Sequence, residues 1–470
     1  MANIPIIMKT YHLAIDLGAT SGRSILAAFE GEKVEMRELT RFPNPMIPFA
    51  GHWFWDLPGL YNEIINALKE VKKQGIELAS IGIDTWGCDV AYFNADGSLA
   101  GLPYCYRDPH TDDAMPKFFE KMDAKKLYSL TGIQFMNFNT VFQLDTIKPK
   151  SDLILFIPDA LMYMLTGNPV TEYTVASTSQ MLNPVTGDLD EEILDVIGLK
   201  RSQFGKMVQP GKVVGMLSRQ VQEETGLGSV PVIAVAGHDT ASAVIGVPAA
   251  DENYAYLSCG TWSLLGIESP KAILTEKARE YNFTNEGGID GMTRFLKNIC
   301  GMWLFEQARK DFKDAPENVA ELAALCEQSD CDSIVNPDDP AFVHPDSMTR
   351  AIADYCAEHG QKVPETPADF VRVIYRSLAK KYKIVLDWLK ELTDVKVNKL
   401  HVIGGGSKNV HLMQMAADEL GIPVIAGPAE STALGNVLVQ LRGCGLVDSL
   451  KDMRRISANS VETKTYNPNK

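Results

Sequence analysis

The sequence predicts an α/β protein of two domains, and three observations carry that prediction. The chain has 470 residues, more than a single hydrophobic core serves well. Apolar strand patterns alternate with amphipathic helices along most of its length. The opening pattern "LAIDLGATSGRSIL" returns in weakened form as "AYLSCGTWSLLGIE" from Ala255: an apolar strand, a small-residue turn with a Thr, and a second apolar strand. The pattern switch near Gly246 divides the chain into a first domain at residues 1–246 and a second at 247–470.

The elements follow in order. "YHLAIDLG" (Tyr11 to Gly18), "SILAAFE" (Ser24 to Glu30) and "VEMRELT" (Val34 to Thr40) read as strands with short links, hence as antiparallel neighbours. "DLPGLYNEIINALKEVKKQG" reads as a helix with Asp56 near its start, Leu60, Ile64, Ile65, Leu68 and Val71 on one face, and Gly75 after its lysines. A strand, "ASIGIDTWG", follows. In the second half a helix begins at Thr366 and Pro367, which suit its N-cap and first turn. Next come a strand into "GGGSKN", the helix "VHLMQMAADELG", the strand "PVIAG" and a helix from Ser431. The stretch from Lys310 to Pro364 is rich in Asp, Pro and Glu and reads as insertion and loop.

Composition narrows the function. Hydrophobic residues make up 45% and charged residues 22%, and the formal net charge is −15. Nucleic acid and an anionic membrane surface both call for a basic face, so neither is expected as the main partner. "MANIPIIMKT" lacks the features of a leader and no run of 18 apolar residues occurs, which predicts a cytoplasmic protein. Eight cysteines without a C-x-x-C pair predict neither a disulfide framework nor a zinc site.

Three small-residue turns follow strands: "DLGATSGRS", "CGTWS" and "GGGSKN". In the first, backbone N–H groups can approach an anion, Thr20 and Ser21 can donate hydrogen bonds, Arg23 can supply charge, and Asp16 can hold Mg²⁺ beside phosphate oxygens. Taken alone it reads equally as a tight hairpin. The chain has no G-x-x-x-x-G-K-[ST], no G-x-G-x-x-G after a strand and no G-x-S-x-G, so nucleotide would be held by separated turns. "GIDTWGCD" puts Asp84, Trp86, Gly87 and Asp89 at a strand end; Trp86 is core on one reading and a sugar platform on the other. In "PVIAVAGHDTASAVIG", Asp239 either caps a helix at Ala241 to Ile245 or serves as a base beside His238 and Thr240. With phosphate-type turns elsewhere, a carboxylate that accepts a hydroxyl proton becomes its candidate role.

The segments "DLGATSGR", "GIDTWGCD", "GLPYCYRD", "GIQFMNFNT", "EYTVASTSQ", "GHDTASAV", "LSCGTWSL", "TNEGG", "LKNICGMWL" and "HVIGGGSKN" together resemble, in order and over nearly the whole chain, the FGGY carbohydrate kinases, relatives of actin, hexokinase and the Hsp70 ATPase. The resemblance implies two ribonuclease-H-like domains flanking a catalytic cleft that takes Mg²⁺, ATP and a small-molecule ketose. L-rhamnulose is the expected sugar, phosphorylated at its terminal hydroxyl, with L-fuculose or a xylulose as rivals. An actin- or Hsp70-like ATPase without sugar chemistry is the rival from another class. Carried over by residue, it implies Ala19, Thr20, Ser21, Gly22 and Arg23 in the first phosphate loop, Thr261 in the second, and Gly404, Gly405, Gly406 and Asn409 on the nucleotide. Gly87, His238, Asp239, Thr240 and Asn298 would line the sugar pocket, with Asp239 as general base. Where the family pattern has a Gln, this chain has Glu306, with Gln307 one residue later.

Overall fold

The computed structural model describes residues 9–313, 315–343 and 345–469; most of the "MANIPIIMKT" opening lies outside the described residues. The chain forms two compact units. The first comprises Met1–Pro248, Glu268–Phe295 and Ser431–Ser460, and the second Ala249–Ile267, Leu296–Glu430 and Val461–Lys470.

The first unit is built on a six-stranded sheet in the order Lys212–Met216, Pro231–Ala234, Leu78–Thr85, Thr10–Leu17, Ser21–Glu30, Lys33–Pro43. The last three strands are consecutive and antiparallel, as their short links require. Leu78–Thr85 runs parallel to Thr10–Leu17, Pro231–Ala234 runs parallel to it, and Lys212–Met216 closes the edge antiparallel. Leu13, Ile15 and Leu17 pack in one core with Leu60, Ile64 and Leu68 of the helix Leu57–Lys73. Asp56 caps that helix through the Gly59 N–H at 2.9 Å, and Lys72 and Lys73 lie at its negative end.

The helix Ser431–Gly443 also belongs to this unit, and its polar residues are tied to the sheet. Nε2 of Gln440 donates to the carbonyl of Leu13 at 3.1 Å, and Ser80 donates to Oε1 of Gln440 at 2.7 Å. Beside it lies the helix Asp239–Ile245. At Gly435 an added Cβ would collide with the carbonyl of Ser242, so only glycine permits this approach. A second core, including Val90, Phe118, Phe142 and Phe156, supports a small sheet of Leu99–Gly101, Val90–Phe93 and Leu153–Phe156.

In the second unit Tyr254–Cys259 pairs antiparallel with Trp262–Ser269 and parallel with Lys399–Ile403. Val424–Ala426 continues parallel, and Lys464–Tyr466 is antiparallel at the edge. This sheet has seven strands to the first one's six, but both share a hairpin, two parallel strands and an antiparallel edge, so the weak sequence echo reflects a repeated topology. The helix Pro367–Leu392 starts as expected, with Thr366 accepting from the N–H of Asp369 and the Asp369 carboxylate accepting from that of Thr366.

The stretch read as loop between Lys310 and Pro364 is partly helical. Val319–Ala324 and Met348–Glu358 are α-helices, capped by Asn318 and Ser347. Val319–Ala324 is too short to show a period, whereas Met348–Glu358 buries Met348, Ile352 and Cys356 at four-residue spacing, a signal that reading by Asp, Pro and Glu content passes over. All eight cysteines are free thiols, and among the described residues no helix is long and apolar enough to cross a membrane.

Candidate active site

The junction after Pro231–Ala234 is held from two sides. The N–H of Thr85 donates to the carbonyl of Gly237 at 2.9 Å, and Thr85 and His238 form an isolated parallel bridge. From the other side, Oε2 of the buried Glu172 accepts the N–H of Gly237 at 2.9 Å and the hydroxyl of Thr174 at 2.6 Å. Burial pushes the Glu172 carboxyl up, against the hydrogen bonds that favour its charged form.

The capping expectation is corrected in one respect. His238, still extended, occupies the N-cap position, and Asp239 is the first helical residue. Asp239 nevertheless serves the first turn. Its Oδ1 accepts the Thr240 N–H at 2.6 Å and faces the Thr240 hydroxyl at 3.2 Å and Nε2 of His238 at 3.4 Å. Every described polar contact of this carboxylate falls on Oδ1, and the side chain is 33% exposed. Oδ2 is thus the oxygen left for a proton or a ligand.

Two further carboxylates belong to this unit's strand ends. Asp16 and Asp84 are register partners on adjacent parallel strands. Arg23 donates to Oδ2 of Asp16 through Nε at 2.9 Å and Nη2 at 2.7 Å. Asp84 is fully buried; Asn436 donates to its Oδ2 at 2.5 Å, while its Oδ1 has no hydrogen-bond partner. Burial, then the charges of Asp16 and Asp239, push the Asp84 carboxyl well above the usual range, opposed by Asn436. Mutually repelling hard oxygen donors suit a divalent cation that keeps several waters, so Asp16 fits the Mg²⁺ expected there. Among the described residues no group of three or more His, Cys, Asp or Glu forms a metal cage.

Ala19 and Thr20 form the tip of the first hairpin, and Ser21 to Arg23 begin its second strand. The turn closes through the Gly18 N–H on the carbonyl of Ser21 at 2.9 Å, and Asn44 ties it from behind through its side chain on the carbonyl of Gly18 at 3.0 Å. Gly22 has a packing reason of its own: a Cβ there would strike the ring of Phe42. Gly87 likewise leaves room for Thr178, whose hydroxyl would lie 2.8 Å from an added Cβ. Trp86 resolves to core. It is 6% exposed, its ring lies 4.4 Å from that of Trp55, and both indoles donate to Oδ2 of Asp89. Burial raises Asp89 to about 6, although those donors and Gln143 favour its charge.

The remaining expected residues lie in the second unit. Thr261 is exposed at the tip of the second hairpin, and its carbonyl accepts from the N–H groups of Gly301 and Trp303 at 3.1 and 3.2 Å. Gly404 has φ 84°, and a Cβ on it would sit 2.9 Å from the carbonyl oxygen of Cys259; Gly406 leaves room for the Cys259 side chain. Cys259 thereby brings the hairpin turn and the glycine turn together. Around Gly405 there is nothing within 4 Å of an added Cβ. Asn409 caps the helix Val410–Leu420 through the Leu412 N–H at 3.1 Å. Asn298 is half-buried on the strand Thr293–Cys300. Glu306 pairs with Arg309 at 3.1 Å and Gln307 accepts from Lys310 at 3.0 Å.

Sequence reading missed Glu286 and Arg294, which stand against His238. The polar, glycine-rich "NEGGIDG" has the composition of a solvated loop, whereas Thr284–Gly287 is a fully buried strand. The available signal was an Arg between Met292 and Phe295–Leu296, at the start of the strand segment "TRFLKNIC".

Two ribonuclease-H-like units, each opening on a hairpin with a small-residue turn, and a carboxylate with one oxygen open at a strand-to-helix junction define the class: an α/β phosphotransferase of the actin and hexokinase type. Family models agree with this class and sharpen it. The N-terminal domain of the FGGY family of carbohydrate kinases matches residues 11–246, and its C-terminal domain matches 255–444. The chain is 49% identical to a rhamnulokinase of Bacteroides thetaiotaomicron, covering 98% of this chain and 96% of that one. It is 37% identical to a rhamnulokinase of Bacillus subtilis, covering 97% and 95%. In fold it is similar to the gluconate kinase of Lactobacillus acidophilus, with TM-score 0.82 at 19% identity over 98% of this chain and 94% of that one. The glycerol kinase of Plasmodium falciparum, solved with ADP, gives 0.80 at 17% over the same shares. The chain belongs to the FGGY family of carbohydrate kinases, which transfer phosphate from ATP to a sugar.

Proposed function

We propose that the protein phosphorylates L-rhamnulose to L-rhamnulose 1-phosphate in L-rhamnose breakdown in the cytoplasm, with Asp239 as general base. The observation that carries the reading is the open Oδ2 of Asp239 at the strand-to-helix junction, in a chain 49% identical to a rhamnulokinase. That oxygen takes the proton of the sugar's terminal hydroxyl as the hydroxyl oxygen bonds to the γ-phosphorus and the bond to the ADP oxygen breaks. The sugar is held by Gly87, His238, Thr240 and Asn298. The nucleotide is held by Ala19 to Arg23 and by Thr261, Gly404 to Gly406 and Asn409. Residues 1–246 thus carry the first phosphate loop, the base and all of the sugar site except Asn298, and residues 247–470 most of the nucleotide site. Asp16 would hold Mg²⁺, which when bound supplies positive charge to the phosphates. The partners are a small sugar and ATP, not nucleic acid or membrane.

ADP release from the purified protein over a panel of ketoses tests this reading. L-rhamnulose is expected to give the highest kcat/KM. A methyl in place of a hydroxyl contributes only about ten- to two-hundred-fold, and hydroxyl contacts set the rest. A clear preference for D-xylulose or L-fuculose overturns the sugar and leaves the kinase; ATP turnover indifferent to every sugar overturns both.

A further inference from the structure

The imidazole of His238 has a charged pair behind it that the reaction as described does not use. Glu286 and Arg294 are 5% and 1% exposed. Nη2 of Arg294 hydrogen-bonds Nδ1 of His238 at 3.2 Å, and Nε of Arg294 donates to the carbonyl of Gly287 at 2.9 Å. The strand carrying Glu286 is itself pinned, since the Gly287 N–H donates to the hydroxyl of Ser177 at 2.7 Å. Oε2 of Glu286 lies 3.0 Å from Nη2 of Arg294 and 3.3 Å from Nδ1 of His238. It is aligned as a hydrogen-bond acceptor with neither.

A guanidinium has five N–H donors and no acceptor, and it keeps its proton in proteins. A ring nitrogen that faces one of its N–H groups must therefore offer a lone pair. We propose that Glu286 and Arg294 are positioning residues that hold His238 with its proton on Nε2, so that a ring N–H rather than a lone pair faces Asp239. Arg294 sets the tautomer. Glu286 neutralises Arg294, and its position beside Nδ1 without alignment leaves that nitrogen as an acceptor. Burial is the largest influence on the Glu286 carboxyl and raises it, but the charge of Arg294 and the neighbouring His238 together outweigh it; the net shift is downward, which keeps the pair ionised.

Two consequences follow at the site. The Nε2–H sits 3.4 Å from Oδ1 of Asp239, an attractive contact with the carboxylate; the other tautomer would set a lone pair against that oxygen. His238 is also committed as a donor, so it recognises a sugar oxygen through a lone pair and never a hydroxyl through its hydrogen. This deepens the reading of Asp239 as base and rests on it, but the tautomer is measured without turnover.

The test is the ¹⁵N spectrum of histidine-labelled protein without sugar at neutral pH, with His238→Gln used to assign the signals. The expected result is a proton on Nε2 and a bare Nδ1. A neutral ring with its proton on Nδ1, or a ring protonated on both nitrogens, overturns the proposal. The double variant Glu286→Gln/Arg294→Met removes both charges at once and leaves none buried alone. It should lose the tautomer preference and about ten-fold in kcat, with KM for ATP unchanged. An unchanged tautomer in that variant, or a KM for ATP that moves with kcat, assigns the pair to the scaffold and overturns the proposal; if the variant does not fold, the parent spectrum decides. Absence of sugar phosphorylation by the parent protein would defeat the kinase reading and leave the spectrum to be judged separately.

Discussion

Glu172 holds Gly237: the carboxylate accepts the backbone N–H at 2.9 Å, 65 residues away in sequence, and so sets where the helix of Asp239 begins. The same carboxylate caps the helix Tyr173–Ser177 through the N–H groups of Thr174 and Val175 at 2.9 and 3.0 Å. Glu172→Ala leaves these donors buried without a partner, which costs about 2 kcal/mol or more. A large drop in Tm, with activity falling further than the unfolded fraction explains, is the expected outcome. A parental Tm would mean that other contacts hold the junction.

Asp239→Asn separates the two roles of that carboxylate. The amide oxygen can still accept from Thr240, so the melting temperature should stay within a few degrees of the parent. Turnover should fall by roughly a hundred- to ten-thousand-fold, the usual range for a lost general base. Steady-state ADP release beside a thermal melt checks both. Near-parental turnover removes Asp239 from the mechanism.

Gly404 and Gly405 should respond oppositely to substitution. Gly404→Ala meets the Cys259 carbonyl and forces a side chain into a positive φ, so it should lower stability by about 1 kcal/mol or more. At Gly405 an added Cβ has nothing within 4 Å, so Gly405→Val should keep the parental Tm while raising KM for ATP far more than KM for the sugar. An equal rise in both constants would assign the turn a purely structural role.

His12 and Asp89 make the fold sensitive to acid with opposite signs. Burial lowers His12 to about 4, so between about pH 4 and 6.5 the unfolded chain binds the extra proton, and stability from this group rises with pH. Asp89 is raised to about 6, so between about pH 3.8 and 6 the folded chain binds the extra proton, and stability falls as pH rises. Each effect has a ceiling of about 3 kcal/mol. His12→Asn should therefore be less stable than the parent at pH 7 and close the gap, or reverse it, at pH 4.5. Urea unfolding at the two pH values checks this, and a constant difference would mean that His12 does not titrate between them.

Legibility in the sequence followed physical range. The two hairpins, the helix after Asp56 and the helix after Thr366 were readable because strand alternation, caps and short turns are local properties. The helix Ser431–Gly443 was also readable as a helix. Its place in the first unit was not, because it is buried nearly all round and its partners, Leu13, Ser80 and Asp84, lie more than three hundred residues away. Arg294 stayed hidden for a similar reason. A buried charge makes sense only with its counter-charge, and neither Glu286 nor His238 announces itself by spacing. Trp86 was ambiguous because an apolar neighbourhood suits both core and platform, and only the donors around Asp89 decide it.

The threading of the first unit sets an order on its making. Ser431 bonds the carbonyl of Ala243, Gln440 bonds Leu13, Ser457 bonds the carbonyl of Gly246, and the N–H of Val34 bonds Ser460. A ribosome that has finished the first half of this chain has therefore not delivered all of the first unit; one side of its sheet waits, with apolar residues uncovered, until the closing forty residues emerge. The nascent N-terminal half is the part most in need of chaperone cover, and a chain stopped short of residue 430 would leave it incomplete even though every strand of its sheet had been made.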